Sequence, residues 1–140
     1  MDNDIMYRGI VYPWHCDHAG HMNIMWYVGK FDEANWSFLG QLGMTPTYVR
    51  ESAYVLAAVQ QNISYKRELL AGDTLFIRTR LIEIRERSIR FEHQMYNSET
   101  LEAAATCEMT AVHLDRRQRR TAPWPSEFRA TALEQLSSRR

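Results

Sequence analysis

Trp14-His15-Cys16-Asp17-His18-Ala19-Gly20-His21-Met22-Asn23-Ile24-Met25-Trp26-Tyr27 is the densest run of polar, titratable and aromatic side chains in the chain. It leads directly into a helical pattern of Val28, Phe31, Ala34, Phe38 and Leu42, with Ile24 and Tyr27 at compatible spacing. A charged turn therefore delivers the chain into a long helix with an apolar face. The first amides of such a helix have no intrahelical partner and carry the positive end of its dipole. Asp17, His21 and Asn23 fall beside that end, which makes the junction a place to hold an oxyanion.

Working outward, residues 5–12 carry Ile5, Tyr7, Ile10, Val11 and Tyr12 and read as a first strand ended by Pro13. The helix runs from Met22 to Leu42, with Gly40 and Gly43 where a C-terminal cap belongs and Pro46 shortly after. Residues 44–53 read as loop or a short helical turn. The period then changes. Val55, Ala57, Val59, Ile63 and Tyr65 fall on one face of a strand over 55–65. After the turn Ala71-Gly72-Asp73, a strand from Thr74 to Ile84 aligns Leu75, Ile77, Thr79 and Leu81. Ile89, Phe91, His93 and Met95 alternate with polar neighbours, and Asn97-Ser98-Glu99 is a hairpin signal. Ala103, Ala105, Cys107, Met109 and Ala111 define the last strand, and a short helix covers Ser126 to Leu136. One helix, an initial strand and four further antiparallel strands make an α+β domain. Met22, Met25, Phe31 and Phe38 span a broad arc of the helix, and an antiparallel sheet curled around it would cover them.

With 140 residues the chain reads as one domain, residues 1–140. Its 17 basic and 17 acidic side chains balance, which argues against a nucleic-acid partner. Two cysteines, Cys16 and Cys107, do not make a disulfide framework. The acidic start Met1-Asp2-Asn3-Asp4 has no apolar signal region, and no apolar run reaches membrane-spanning length. The expectation is a cytoplasmic protein without a membrane partner.

Asp17-His18-Ala19-Gly20-His21-Met22-Asn23, followed by Tyr27, Phe31 and Ala34, resembles the turn and helix of hotdog-fold thioesterases of the 4-hydroxybenzoyl-CoA thioesterase-like superfamily. Tyr65-Lys66-Arg67 before Gly72-Asp73, and the alanine-rich last strand ending in Asp115-Arg116, extend the resemblance over residues 5–125 in order. Many relatives carry a second asparagine after the one at Asn23, where this chain has Ile24. The resemblance implies a hotdog fold, a long central helix wrapped by a curved antiparallel sheet. It implies a homodimer or homotetramer with sites at subunit interfaces. It also implies hydrolysis of an acyl-CoA, or less often of an acyl-carrier-protein thioester, without metal or organic cofactor.

Thioester hydrolysis needs a base or nucleophile near the acyl carbonyl and donors for the oxyanion. Asp17 is the candidate carboxylate, with turn or helix capping as its plain structural alternative. His21 and Asn23 are supporting catalytic candidates; a histidine bonded within the turn and a helix cap are their alternatives. Backbone donors are sought at Gly20, Asn23 and Ile24. Substrate contacts are sought at Trp14, Trp26 and Tyr27, the tryptophans as the lining of a pocket for aromatic, branched or cationic acyl groups. Lys66, Arg67 and Arg90 are candidates for coenzyme A phosphates. The turn also contains His15, Cys16, Asp17, His18 and His21, all competent metal ligands, but adjacent extended residues point to opposite faces, so no metal site is expected. Two readings from other classes remain: a non-catalytic acyl-CoA-binding hotdog module, and a hotdog hydratase or dehydratase.

Overall fold

The computed structural model describes residues 2–138. Strands β1 (Ile5–Ile10), β2 (Tyr54–Tyr65), β3 (Thr74–Ile84), β4 (Ser88–Asn97) and β5 (Ala103–Asp115) form one antiparallel sheet in the order β1-β3-β4-β5-β2. The two-residue β6 (Arg120–Thr121) pairs with β5. Helix α1 (Ile24–Leu42) lies in the curl of the sheet, α2 (Pro46–Glu51) follows it, and α3 (Ser126–Ser138) closes one end. This is the hotdog fold.

Alternation builds the wrapped core. Leu75, Ile77, Thr79 and Leu81 of β3, and Ile89, Phe91, His93 and Met95 of β4, are all buried against Phe31, Ala34, Asn35 and Phe38 of α1 or its neighbours. Full burial of a side chain such as Phe31 contributes about 2–3 kcal/mol. Polar groups pin the helix in register. Asn35 Oδ1 lies 2.6 Å from His93 Nε2, and His93 Nδ1 lies 2.6 Å from Thr79 Oγ1. One neutral tautomer satisfies both contacts: Nε2–H donates to Asn35, and Nδ1 accepts from the Thr79 hydroxyl.

Two expectations are corrected by the packing. In β2 the pairing steps from Ala58↔Ala111 to Gln60↔Thr110, so Val59 is an extra residue in a bulge. The alternation changes sides there. Ile63 and Tyr65 pair with buried Cys107 and Ala105, whereas Val55 and Ala57 pair with Leu114 and Val112 on the opposite face. The second correction concerns α1. Met25 is 63% exposed and Ile24 61% exposed, so the sheet of this chain does not cover the start of the helix.

Candidate active site

The chain enters the site through a short 3-10 turn, Pro13–His15, and doubles back. Cys16 and Met22 form an isolated antiparallel bridge. Between them, the Gly20 N–H donates to Asp17 O (3.0 Å) and the Asp17 N–H donates to His21 O (3.2 Å). Gly20 has φ +92°, a conformation that a residue with a Cβ rarely adopts. The Met22 N–H donates to Leu69 O (2.8 Å) and the Asn23 N–H to His15 O (2.9 Å), which ties the hairpin to the rest of the fold.

Asn23 is the N-cap of α1, and its side chain has a double task. Its Oδ1 accepts from the Met25 N–H (2.9 Å), while its Nδ2 donates to Asp17 Oδ2 (2.8 Å). The other oxygen of Asp17 accepts from the Ala19 N–H (2.8 Å). The Asn23 bond first, then the Ala19 amide, hold the Asp17 carboxyl below the ordinary aspartate range. An ionised carboxylate is thus fixed beside the positive end of the longest helix.

The candidate backbone donors differ in their bonding. The Gly20 and Asn23 amides, both expected as donors, are already committed to Asp17 O and His15 O. Closing the turn and docking it consume them. The Ile24 N–H, first in α1, makes no hydrogen bond among the described residues. It is the free backbone donor at the start of the helix. His21 does not bond to Asp17. Its Nδ1 lies 3.4 Å from Met22 O, and its Nε2 lies 3.7 Å from Glu68 Oε1.

A groove of about 360 Å³ opens at the helix start between His21, Ile24 and Tyr27 on one side and Tyr65, Lys66 and Arg67 on the other. Tyr27 forms its buried wall, with the Tyr27 hydroxyl donating to Arg67 O (3.4 Å) and the Tyr65 ring edge-on at 5.2 Å. Lys66 and Arg67 line the groove, Arg67 paired with Glu102 at 3.1 Å. Glu68 also lines this groove, and no pattern in the sequence marks it. Arg90 is not brought here. It pairs with Glu108 (3.4 Å) and sits next in β4 to the inward-facing Phe91, so it projects from the outer face. Trp14 and Trp26 are not in the groove either; they line a separate cleft with His15, whose ring is 4.3 Å from that of Trp26. Among the described residues no three His, Cys, Asp or Glu side chains are grouped to hold a metal, and no helix is long and apolar enough to cross a membrane.

The family model of the thioesterase-like superfamily matches residues 11–132, which includes the turn, the groove and the sheet from β2 onward. The chain belongs to the thioesterase-like superfamily. Within that superfamily it is 28% identical over 122 residues to an L-carnitine dehydrogenase/betainyl-CoA thioesterase of Agrobacterium fabrum, covering 87% of this chain and 25% of that protein. The chain thus spans about a quarter of the length of the curated relatives it matches. Among solved structures, a gentisyl-coenzyme A thioesterase superposes with TM-score 0.79 at 27% identity, covering 90% of this chain and 98% of the other. A Staphylococcus aureus protein solved in complex with CoA superposes with TM-score 0.89 at 19% identity, covering 95% and 84%, and carries the likeness of fold.

Proposed function

We propose that this chain is a single hotdog domain, residues 1–140, that hydrolyses an acyl-CoA to free acid and thiol. One observation carries the reading: Asp17, ionised and clamped by Asn23 and Ala19, shares the helix start with the unbonded Ile24 N–H. The acyl carbonyl oxygen is taken to meet the Ile24 amide, which stabilises the negative charge that develops on it. Asp17 attacks the carbonyl carbon or removes a proton from the water that does so. The tetrahedral adduct then collapses with cleavage of the C–S bond, and the coenzyme A thiolate leaves and is protonated by water. On the first route a further water opens the mixed anhydride to free acid and Asp17. Asn23 is a positioning residue, because it holds one carboxylate oxygen while its other end is fixed by the helix. His21 borders the groove, where it contacts substrate. Lys66 and Arg67 at the groove rim offer charge to coenzyme A phosphates.

The similarity to betainyl-CoA thioesterases puts betainyl-CoA first among candidate substrates, with gentisyl-CoA next. Thiol release from a panel of betainyl, aromatic, branched, short and long acyl-CoAs tests the reading. Release from at least one member is the expected result. Binding of acyl-CoA with no thiol released from any member would replace hydrolysis with a binding role. Loss of enoyl absorbance without thiol would indicate hydration instead.

The assembly is expected to be a homodimer or a dimer of such dimers. Among the described residues strand β2 pairs only with β5, and residues 58–62 along it are exposed, with Val59 at 59%. Ile24 and Met25 are exposed as well. An unpaired strand edge beside an uncovered apolar helix start is a ready template for a second copy. Light scattering should return twice or four times the 16.5 kDa chain mass. A monomer at micromolar concentration would sink this assembly.

A further inference from the structure

A second cleft, of about 330 Å³, shares no lining residue with the groove. It lies between β1 and the first turns of α1, and its walls include Tyr7, Tyr12, Trp14, Trp26, Lys30 and Glu33. Tyr12 and Trp14 stack in parallel, centroids 4.5 Å apart and 6° between planes, and Trp14 remains 67% exposed. Tyr7 folds back over Gly9, where a Cβ would come within 2.7 Å of its ring and hydroxyl. The cleft is therefore walled by aromatic rings on a fixed backbone.

Its charges are incompletely satisfied. Lys30 is only 4% exposed, and its Nζ makes one long hydrogen bond, donated to the Tyr7 hydroxyl at 3.3 Å, with the Tyr7 ring centroid 5.4 Å away. The same hydroxyl interacts with Glu33. Among the described residues, neither Lys30 nor Glu33 makes a direct ion pair. Lys30 has one neutral hydrogen-bond partner and feels the Glu33 carboxylate without a direct pair. The buried ammonium thus recovers only part of its lost hydration, and an anion beside it would supply more. A quaternary ammonium has the opposite need. It has no N–H to donate and is held by aromatic faces and a nearby carboxylate.

We propose that this cleft binds a small zwitterion in which a carboxylate is joined to a quaternary ammonium, the carboxylate on Lys30 and the ammonium against Trp14, Trp26 and Glu33. A simple cation would face Lys30 uncompensated, and a simple anion would face Glu33. The zwitterion meets both charges and the aromatic walls together. The acid released from betainyl-CoA is such a molecule, so on the functional reading above the cleft would hold free product apart from the reacting groups. That link rests on the proposed activity; the binding does not.

Ligand-observed NMR titration with glycine betaine and carnitine, against choline and 3,3-dimethylbutyrate, tests it without turnover. Both zwitterions are expected to saturate, at least about tenfold tighter than choline or dimethylbutyrate. Trp14→Leu, at an exposed position, and Lys30→Met, which keeps the buried stem, should each weaken betaine at least about tenfold. Saturating coenzyme A should leave betaine binding unchanged, because the two clefts are separate. Choline binding as tightly as betaine would overturn the proposal, as would unaltered betaine affinity in Trp14→Leu, displacement by coenzyme A, or no saturable binding of either zwitterion. Absence of thiol release in the acyl-CoA panel would sink the hydrolase reading alone.

Discussion

Asp17→Asn is expected to lose at least about a hundredfold in kcat on whichever acyl-CoA the wild type hydrolyses, with a much smaller change in KM. The substitution keeps the shape of the side chain and removes its charge, so neither nucleophilic attack nor proton abstraction from water survives. The surrounding hydrogen bonds explain why it is not electrostatically silent. Asp17 accepts from Ala19 N–H on one oxygen and from Asn23 Nδ2 on the other. An amide there retains one acceptor and turns an NH₂ toward the second donor. Asn23 cannot resolve this by flipping, because its Oδ1 is held by the Met25 N–H. The Asp17→Asn variant is thus expected to have a looser turn as well as a silent one, and unchanged circular dichroism with a slightly lower Tm is the required control. Asp17→Glu provides the complementary test. It restores charge but displaces it, so partial activity with a normal charge would tie rate to position. Single turnover in ¹⁸O-labelled water then tests for the covalent route. Label in Asp17 itself means covalent attack with water opening the anhydride at the Asp17 carbonyl, whereas label only in the released acid is the outcome both of direct water activation and of opening at the acyl carbonyl. Equal hydrolysis by wild type and Asp17→Asn would leave the fold untouched and remove Asp17 from the mechanism.

The parts of this architecture legible in the sequence are those set by local period and capping chemistry. Strand β3 falls at Thr74–Ile84 as read, because Leu75, Ile77, Thr79 and Leu81 alternate along it and Gly72 and Asp73 mark its start. The helix begins two residues after Met22, because Asn23 is a cap rather than a first helical residue. Its C-terminus ends where Gly43 takes φ +117°. What could not be read depends on a single extra residue or on where a backbone amide is spent. Val59 looks like any β-branched strand residue, and only its failure to pair with β5 reverses the faces of the strand. Asn23 and Gly20 look like free turn amides until His15 O and Asp17 O claim them. Arg90 alternates in sequence like a rim cation, yet Phe91 beside it faces the core and sends it outward to Glu108. Trp14 and Trp26, grouped by sequence with Tyr27, are delivered to a different cleft, because successive helical positions turn by about 100° and Trp26 and Tyr27 leave α1 in different directions.

Acidification from pH 7 to 5 is expected to destabilise the fold by about 2 kcal/mol through His93 alone, a fall of roughly 4–8 °C in Tm for a domain this size. His93 is fully buried between Phe31 and Phe91, whose ring centroids lie 5.7 Å and 5.3 Å from its own, and burial lowers its pKa from 6.5 to about 3. Below pH 6.5 the unfolded chain takes up a proton on this ring that the native chain refuses until about pH 3. Stability is therefore full above pH 6.5 and declines as pH falls through the interval between the two values. His113, buried against Tyr54 and Trp124, and His15 are also shifted downward by burial and act in the same direction. His93→Gln separates the contributions. It should cost stability at pH 7, because Asn35 and Thr79 lose their shared ring. It should also remove the His93 part of the acid slope, so that the gap between the two melting curves narrows toward pH 5. A gap that stays constant with pH would mean that His93 does not titrate between the folded and unfolded states. The same network connects stability to the site, since Asn35 belongs to the helix whose first residue, Ile24, lines the groove. Loss of thioesterase rate at pH 5 should then track the melting curve in wild type, while Asp17, held ionised by Asn23 and Ala19, keeps its charge over that range.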